Sequence, residues 1–108
     1  MAKFLIQACY TAEGLKGLQK DKASGRLEAL IKAVESLNGK VESMHFALGD
    51  DDVIAVLEFA DAEAAAALSA AVSLTGLVRM RTTTLLTVAE MDQALTRHAI
   101  YRGPGQQS

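Results

Sequence analysis

The chain has only one cysteine, Cys9. A single thiol cannot close an internal disulfide, and small secreted domains rely on several, so the cytoplasm is the expected location. There is no basic excess: 11 Lys+Arg stand against 13 Asp+Glu, a formal charge of −2. Without net positive charge there is little counterion release to drive binding, so no nucleic acid is expected as a partner. No block of like charge marks an interaction tail. No apolar run approaches the roughly 20 residues that cross a bilayer, so no membrane partner is expected. Met1, Ala2 and Lys3 run directly into a strand-like segment rather than a leader sequence. Gly14 and Gly17 lack the remainder of either nucleotide fingerprint. No Ser-His-Asp order and no cysteine-pair motif is present. The sequence therefore leads us to expect no cofactor and no resident metal.

What is present suits one folded domain. The 108 residues are half hydrophobic, enough for a continuous core. Residues 1–98 are expected to form the domain. Residues 99–108, rich in Gly, Gln and Ser and holding the only proline, Pro104, are expected to be a flexible tail.

Alternation with period two marks Lys3 to Tyr10 as a strand, with Phe4, Ile6, Ala8 and Tyr10 on one side and Leu5, Gln7 and Cys9 on the other. Thr11 to Gly17 reads as a turn or short helical piece, broken by Gly14 and Gly17. From Ala23 the pattern is helical, with Leu27, Leu30, Ile31, Val34 and Leu37 on one stripe and Arg26, Glu28, Lys32 and Glu35 toward solvent. Asn38-Gly39 ends it, with the glycine expected in the left-handed cap. Lys40 to Leu48 alternates again, placing Val41, Ser43, His45 and Ala47 against Glu42, Met44, Phe46 and Leu48. Gly49-Asp50-Asp51 reads as a hairpin turn. Asp52 to Phe59 is apolar on both faces, the mark of a central strand. Asp61 is a suitable N-cap for a helix over 62–73. Leu77 to Leu86 is a fourth strand, and Thr87-Val88-Ala89-Glu90 is a capping box opening a last helix to about Ala99.

The order β-α-β-β-α-β plus a terminal helix is the ferredoxin-like α+β arrangement, with a four-stranded antiparallel sheet and both main helices on one face. Two helices cover one face only. The other would expose an apolar patch that monomers seldom tolerate, which predicts a homo-oligomer closing sheet to sheet as a dimeric α+β barrel. The plainer alternative folds the terminal helix across that face.

Three stretches also carry a family likeness. The opening Lys3-Phe4-Leu5-Ile6-Gln7-Ala8-Cys9-Tyr10-Thr11-Ala12-Glu13-Gly14, the turn Gly49-Asp50-Asp51-Asp52-Val53 and the strand Val78-Arg79-Met80-Arg81-Thr82-Thr83-Thr84-Leu85-Leu86-Thr87 together resemble the GYD domain family of small bacterial proteins. The likeness spans about residues 3 to 95. It implies a ferredoxin-like fold that assembles through its sheets, and it implies little about chemistry. Asp51 stands where the family usually places tyrosine, so a role for that ring does not transfer.

Five residues are candidates for ligand binding: Cys9, Tyr10, His45, Arg79 and Arg81. Arg79 and Arg81 point the same way from one strand and suit an anionic ligand; an edge strand protected by charge is the plainer reading. His45 suits a general base but lacks a partner at ligand spacing. Cys9 suits a nucleophile only beside a cation, and is otherwise a small packed residue. Tyr10 offers a hydroxyl at a strand end or a core aromatic. Asp50, Asp51 and Asp52 suit a hard cation in principle, but turn chemistry accounts for them unaided. The leading expectation is a homo-oligomeric module binding a small molecule or a protein partner. The alternatives are a cofactor-independent enzyme with its cavity between sheets, and a purely structural oligomerisation unit.

Overall fold

The computed structural model describes residues 1–107. Its elements are β1 (Ala2–Tyr10), α1 (Ala12–Ser36), β2 (Lys40–Phe46), β3 (Val53–Phe59), α2 (Ala62–Ser73), β4 (Val78–Leu85) and α3 (Val88–Leu95). The four strands form one sheet in the order β2-β3-β1-β4, antiparallel throughout. The two strands with the most apolar residues, β1 and β3, are central, and the fold is the ferredoxin-like α+β arrangement that the order of elements implies.

One face of this sheet carries the core. Phe4, Ile6 and Ala8 from β1 and Val53, Ala55, Leu57 and Phe59 from β3 are buried there, against Val34 of α1 and Ala65 and Leu68 of α2. Phe4 and Phe59 meet at 6.0 Å between ring centroids, tilted by 53°, a favourable aromatic geometry. The alanines of α2 let that helix lie close to the sheet. Asp61 caps α2 as expected, its carboxylate accepting from the Ala64 amide at 2.9 Å.

Three local expectations are corrected. Thr11 to Gly17 is not a broken turn: α1 begins at Ala12, and the Thr11 hydroxyl accepts from the Gly14 amide at 3.2 Å as its N-cap. Gly14 is there for close approach, because a β-carbon on it would lie 2.0 Å from the Leu77 carbonyl oxygen. At the other end of α1, Asn38 and not Gly39 takes the left-handed conformation, at φ +58°. Gly39 is needed for space, since a β-carbon there would lie 2.5 Å from the Phe59 ring. In β2 a bulge between Val41 and Ser43 breaks the alternation. Val41 therefore sits with Met44 against the core, while Ser43 and His45 face the other way.

α1 also contains a kink that the periodicity does not announce. Lys22 has φ 63° and ψ 170°, a region that is essentially reserved for glycine. The two halves of α1 consequently run in different directions. Before the kink only Gly14 is buried, and after it only Val34.

The C-terminal arm departs most from a closed domain. From Leu86 to Gln107 every residue except Gly103 is exposed. α3 ends at Leu95, short of the expected Ala99, and buries nothing. Beyond it, residues 103–106 form a small turn in which the Gln106 amide donates to the Gly103 carbonyl at 3.0 Å. The radius of gyration is 17.4 Å, against about 13 Å for a compact domain of this length. No helix among the described residues is long and apolar enough to cross a membrane.

The capping box of α3 is present in full. The Thr87 amide donates to Glu90 Oε1 at 2.8 Å, and the Glu90 amide donates to the Thr87 hydroxyl at 3.0 Å. The bond from the Thr87 amide, followed by that from its side chain, holds the Glu90 carboxyl below its usual range. A carboxyl depressed in this way stabilises the helix above the ordinary glutamate pKa, and the benefit disappears as pH falls through the depressed value. In NMR spectra the Val88–Leu95 amides are expected to hold helical shifts near neutral pH and drift toward coil on acidification. Glu90→Gln should flatten that titration; an unaltered profile in the variant would separate Glu90 from the helix.

Candidate functional site

The face of the sheet opposite the core is covered by none of the helices. It carries Leu5, Gln7 and Cys9 from β1, Ile54 and Val56 from β3, Ser43 and His45 from β2, and Arg79, Arg81 and Thr83 from β4. Ile54 is exposed, while Leu5 and Val56 are half-buried by their neighbours. α3 does not fold across this face: its flanking Leu86 and its own Val88, Met91 and Leu95 are all exposed.

Register places the candidate residues relative to one another. His45 pairs with Ile54, Ile54 with Gln7 and Gln7 with Arg81, so the four form one row across the sheet. Cys9 pairs with Arg79 in the next row on the same face. His45 and Arg81 thus lie on opposite edge strands, three strand spacings or about 14 Å apart. That is too far for both to act on one small reacting group. His45 and Arg79 are exposed, and His45 lines none of the principal cavities among the described residues.

The polar focus of this face is Asp51, in the turn between β2 and β3. Its carboxylate accepts from Arg81 Nη2 at 2.8 Å and Gln7 Nε2 at 3.2 Å. The Cys9 thiol donates to the Asp50 carbonyl at 3.1 Å and lies 3.6 Å from the other Asp51 oxygen. The Asp51 side chain is only 11% exposed, whereas that of Arg81 is 66% exposed. The aspartate thus works as a tie that holds the turn down on β1 and β4. Next to it Asp52 accepts from the Tyr10 backbone amide at 2.9 Å. The neighbouring carboxylates are spent on separate donors. Among the described residues no group of three His, Cys, Asp or Glu is arranged to hold a metal ion.

Of the five candidates, then, the structure brings Cys9, Arg79 and Arg81 to one end of the open face, beside Asp51. His45 shares the face but sits at its far edge. Tyr10 belongs to the other side of the sheet, where its side chain lines a cleft beneath α1. The partners sequence reasoning missed are Gln7 and Asp51. Alternation puts Gln7 beside Cys9, but nothing local shows that the middle aspartate of the turn folds back over β1.

Comparison with known proteins adds a single finding. Neither a curated protein nor a solved structure matches the chain. The family model for the GYD domain matches residues 4–95, from the first strand to the end of α3. That span takes in all of the sheet but the first two residues of β1, with every candidate residue of the open face, and the chain belongs to the GYD domain family.

Proposed function

We propose that this chain is a homo-oligomeric binding module, in which a second copy covers the open sheet face and the projecting arm, and the assembled unit takes a small molecule or a protein partner. One observation carries the reading. The single chain exposes 7850 Å², whereas a compact monomer of its mass exposes about 5,800 Å². The surplus of about 2,000 Å² per copy reaches the scale of a stable interface. Its composition fits one. Ile54, Leu5 and Val56 form an apolar strip across the sheet, and Val88, Met91 and Leu95 recur along α3 at helical spacing. A helix of eight residues is marginal in water on its own, so α3 gains from a surface to lie on. A cytoplasmic setting suits the lone thiol.

Light scattering after size-exclusion chromatography tests the reading. The chain is expected to elute as a dimer or larger assembly. Ile54→Glu puts a charge at the centre of the strip, where the single chain already tolerates exposure, so it is expected to yield folded monomer. A wild-type chain that stays a single subunit at millimolar concentration would overturn the proposal.

A further inference from the structure

The kink at Lys22 leaves a cleft between the first half of α1, α2 and the end of the sheet. Its volume is about 310 Å³, at the lower end of the range for small-molecule sites. The walls are apolar: Leu18 from α1, Leu68 and Val72 from α2, and Leu77 and Val78 leading into β4. The floor continues into a smaller cavity of about 70 Å³ over Ala8, Met44 and Met80 on the core face of the sheet. Two groups able to recognise a polar ligand, Tyr10 and Arg26, line both spaces.

Arg26 is the informative residue. The stripe of Leu27 and Ile31 leaves it toward solvent, yet it stands one and two turns before Leu30 and Val34 and so shares their face, over the cleft, where it is half-buried. A guanidinium offers five donors, and among the described residues this one has a single hydrogen-bond partner, Asp21 Oδ2 at 3.4 Å. Asp21 also lines the cleft, and its side chain is 49% exposed. An ion pair so long and so open to water is weak and readily exchanged. Tyr10 lines the same cleft, its ring lying beside Gly14 of α1.

We propose that this cleft is the binding site for a small, largely apolar carboxylic acid, aromatic or branched, whose carboxylate takes Arg26 from Asp21 while its body fills the space between Leu18, Val72 and Val78. An apolar cavity with one under-used guanidinium at its edge selects such a molecule on two counts. The walls reward removal of hydrocarbon from water, and the planar fork matches a carboxylate in two-point geometry. The Lys22 conformation shapes the cleft, because it sets the first half of α1, which brings Leu18 to the wall, in a different direction from the half that carries Arg26. The site deepens the binding half of the reading above, and it does not depend on self-association.

The experiment is NMR titration of the full chain with 4-phenylbutyrate, with 4-phenylbutanamide as the neutral match and oligomeric state followed in parallel by light scattering. Saturable shifts are expected at Leu18, Val72 and Val78, with the acid bound about tenfold or more tighter than the amide. Arg26→Gln should remove that preference, and Asp21→Asn should tighten binding by deleting the competing carboxylate. Gly17→Leu is the blocking variant: no atom lies within 4 Å of a β-carbon there, so it should fold normally and lose binding. Absence of saturable cleft shifts, equal binding of acid and amide, or an affinity indifferent to Arg26→Gln would each overturn the proposal. So would contacts showing the cleft filled by α3 of a second copy. A monomeric chain that still binds the acid would overturn only the self-association reading.

Discussion

Phe59→Ala is expected to cost about 3–5 kcal/mol, enough to consume much of the stability of a domain this size. Phe59 is fully buried at the end of β3, with its ring against Phe4 on one side and the Gly39 backbone on the other. Truncation leaves a cavity that neither neighbour can fill. Phe4 is held by its own pairing with Leu57 and Thr84, and Gly39 has no side chain to offer. Urea unfolding at one fixed protein concentration is the appropriate measurement, since self-association makes the midpoint depend on concentration. A midpoint close to wild type would mean that the aromatic pair is not the centre of the core.

The second large effect is expected at Gly14. An alanine there drives its β-carbon to 2.0 Å from the Leu77 carbonyl oxygen, which has to move. That oxygen accepts from the Thr11 amide at 3.0 Å and from the Thr11 hydroxyl at 3.2 Å. Shifting it loosens the N-cap of α1 and the lead into β4 together. The expected cost is about 3 kcal/mol, overpacking plus weakened hydrogen bonds. Gly17→Ala, one turn later in the same helix, meets nothing within 4 Å. It should gain about 0.5–1 kcal/mol from helix propensity. The opposite signs of one chemical change at two positions separate close approach from propensity. Destabilisation of both by equal amounts would show that the first turn of α1 is not seated on Leu77.

These contrasts explain how far the chain could be read before it was folded. Asp61 and Thr87 announce their helices because a cap is a contact between residues three apart, and the text of the chain contains both partners. The apolar face of β1 is equally legible, because a strand alternates by its own geometry, whereas β3 is apolar on both faces and shows only its central place. The candidate site was legible only in part for the same reason. Alternation placed Arg79 with Arg81 and Cys9 with Gln7, but the pairing of Cys9 with Arg79 belongs to the register between strands seventy residues apart. The tie from Asp51 to Arg81, Gln7 and Cys9 is likewise a contact over thirty residues or more.

By itself, then, the sequence determined the order of the elements, most of their ends, the apolar faces and the placing of β1 and β3 at the centre. Each of these follows from interactions within a few residues or from the amount of apolar surface a strand carries. Tertiary structure alone decided the rest. Gly14 and Gly39 look like breakers until Leu77 and Phe59 come against them. The β2 bulge shows only in the pairing of β2 with β3, where it leaves Val41 and Met44 both on the core face. Arg26 comes to the mouth of a cleft because the sheet and α2 pack on the helix face it shares with Leu30 and Val34, and the turn at Lys22 brings Leu18 to the opposite wall. Periodicity describes a chain with no neighbours, whereas steric fit and pairing register are properties of two segments meeting.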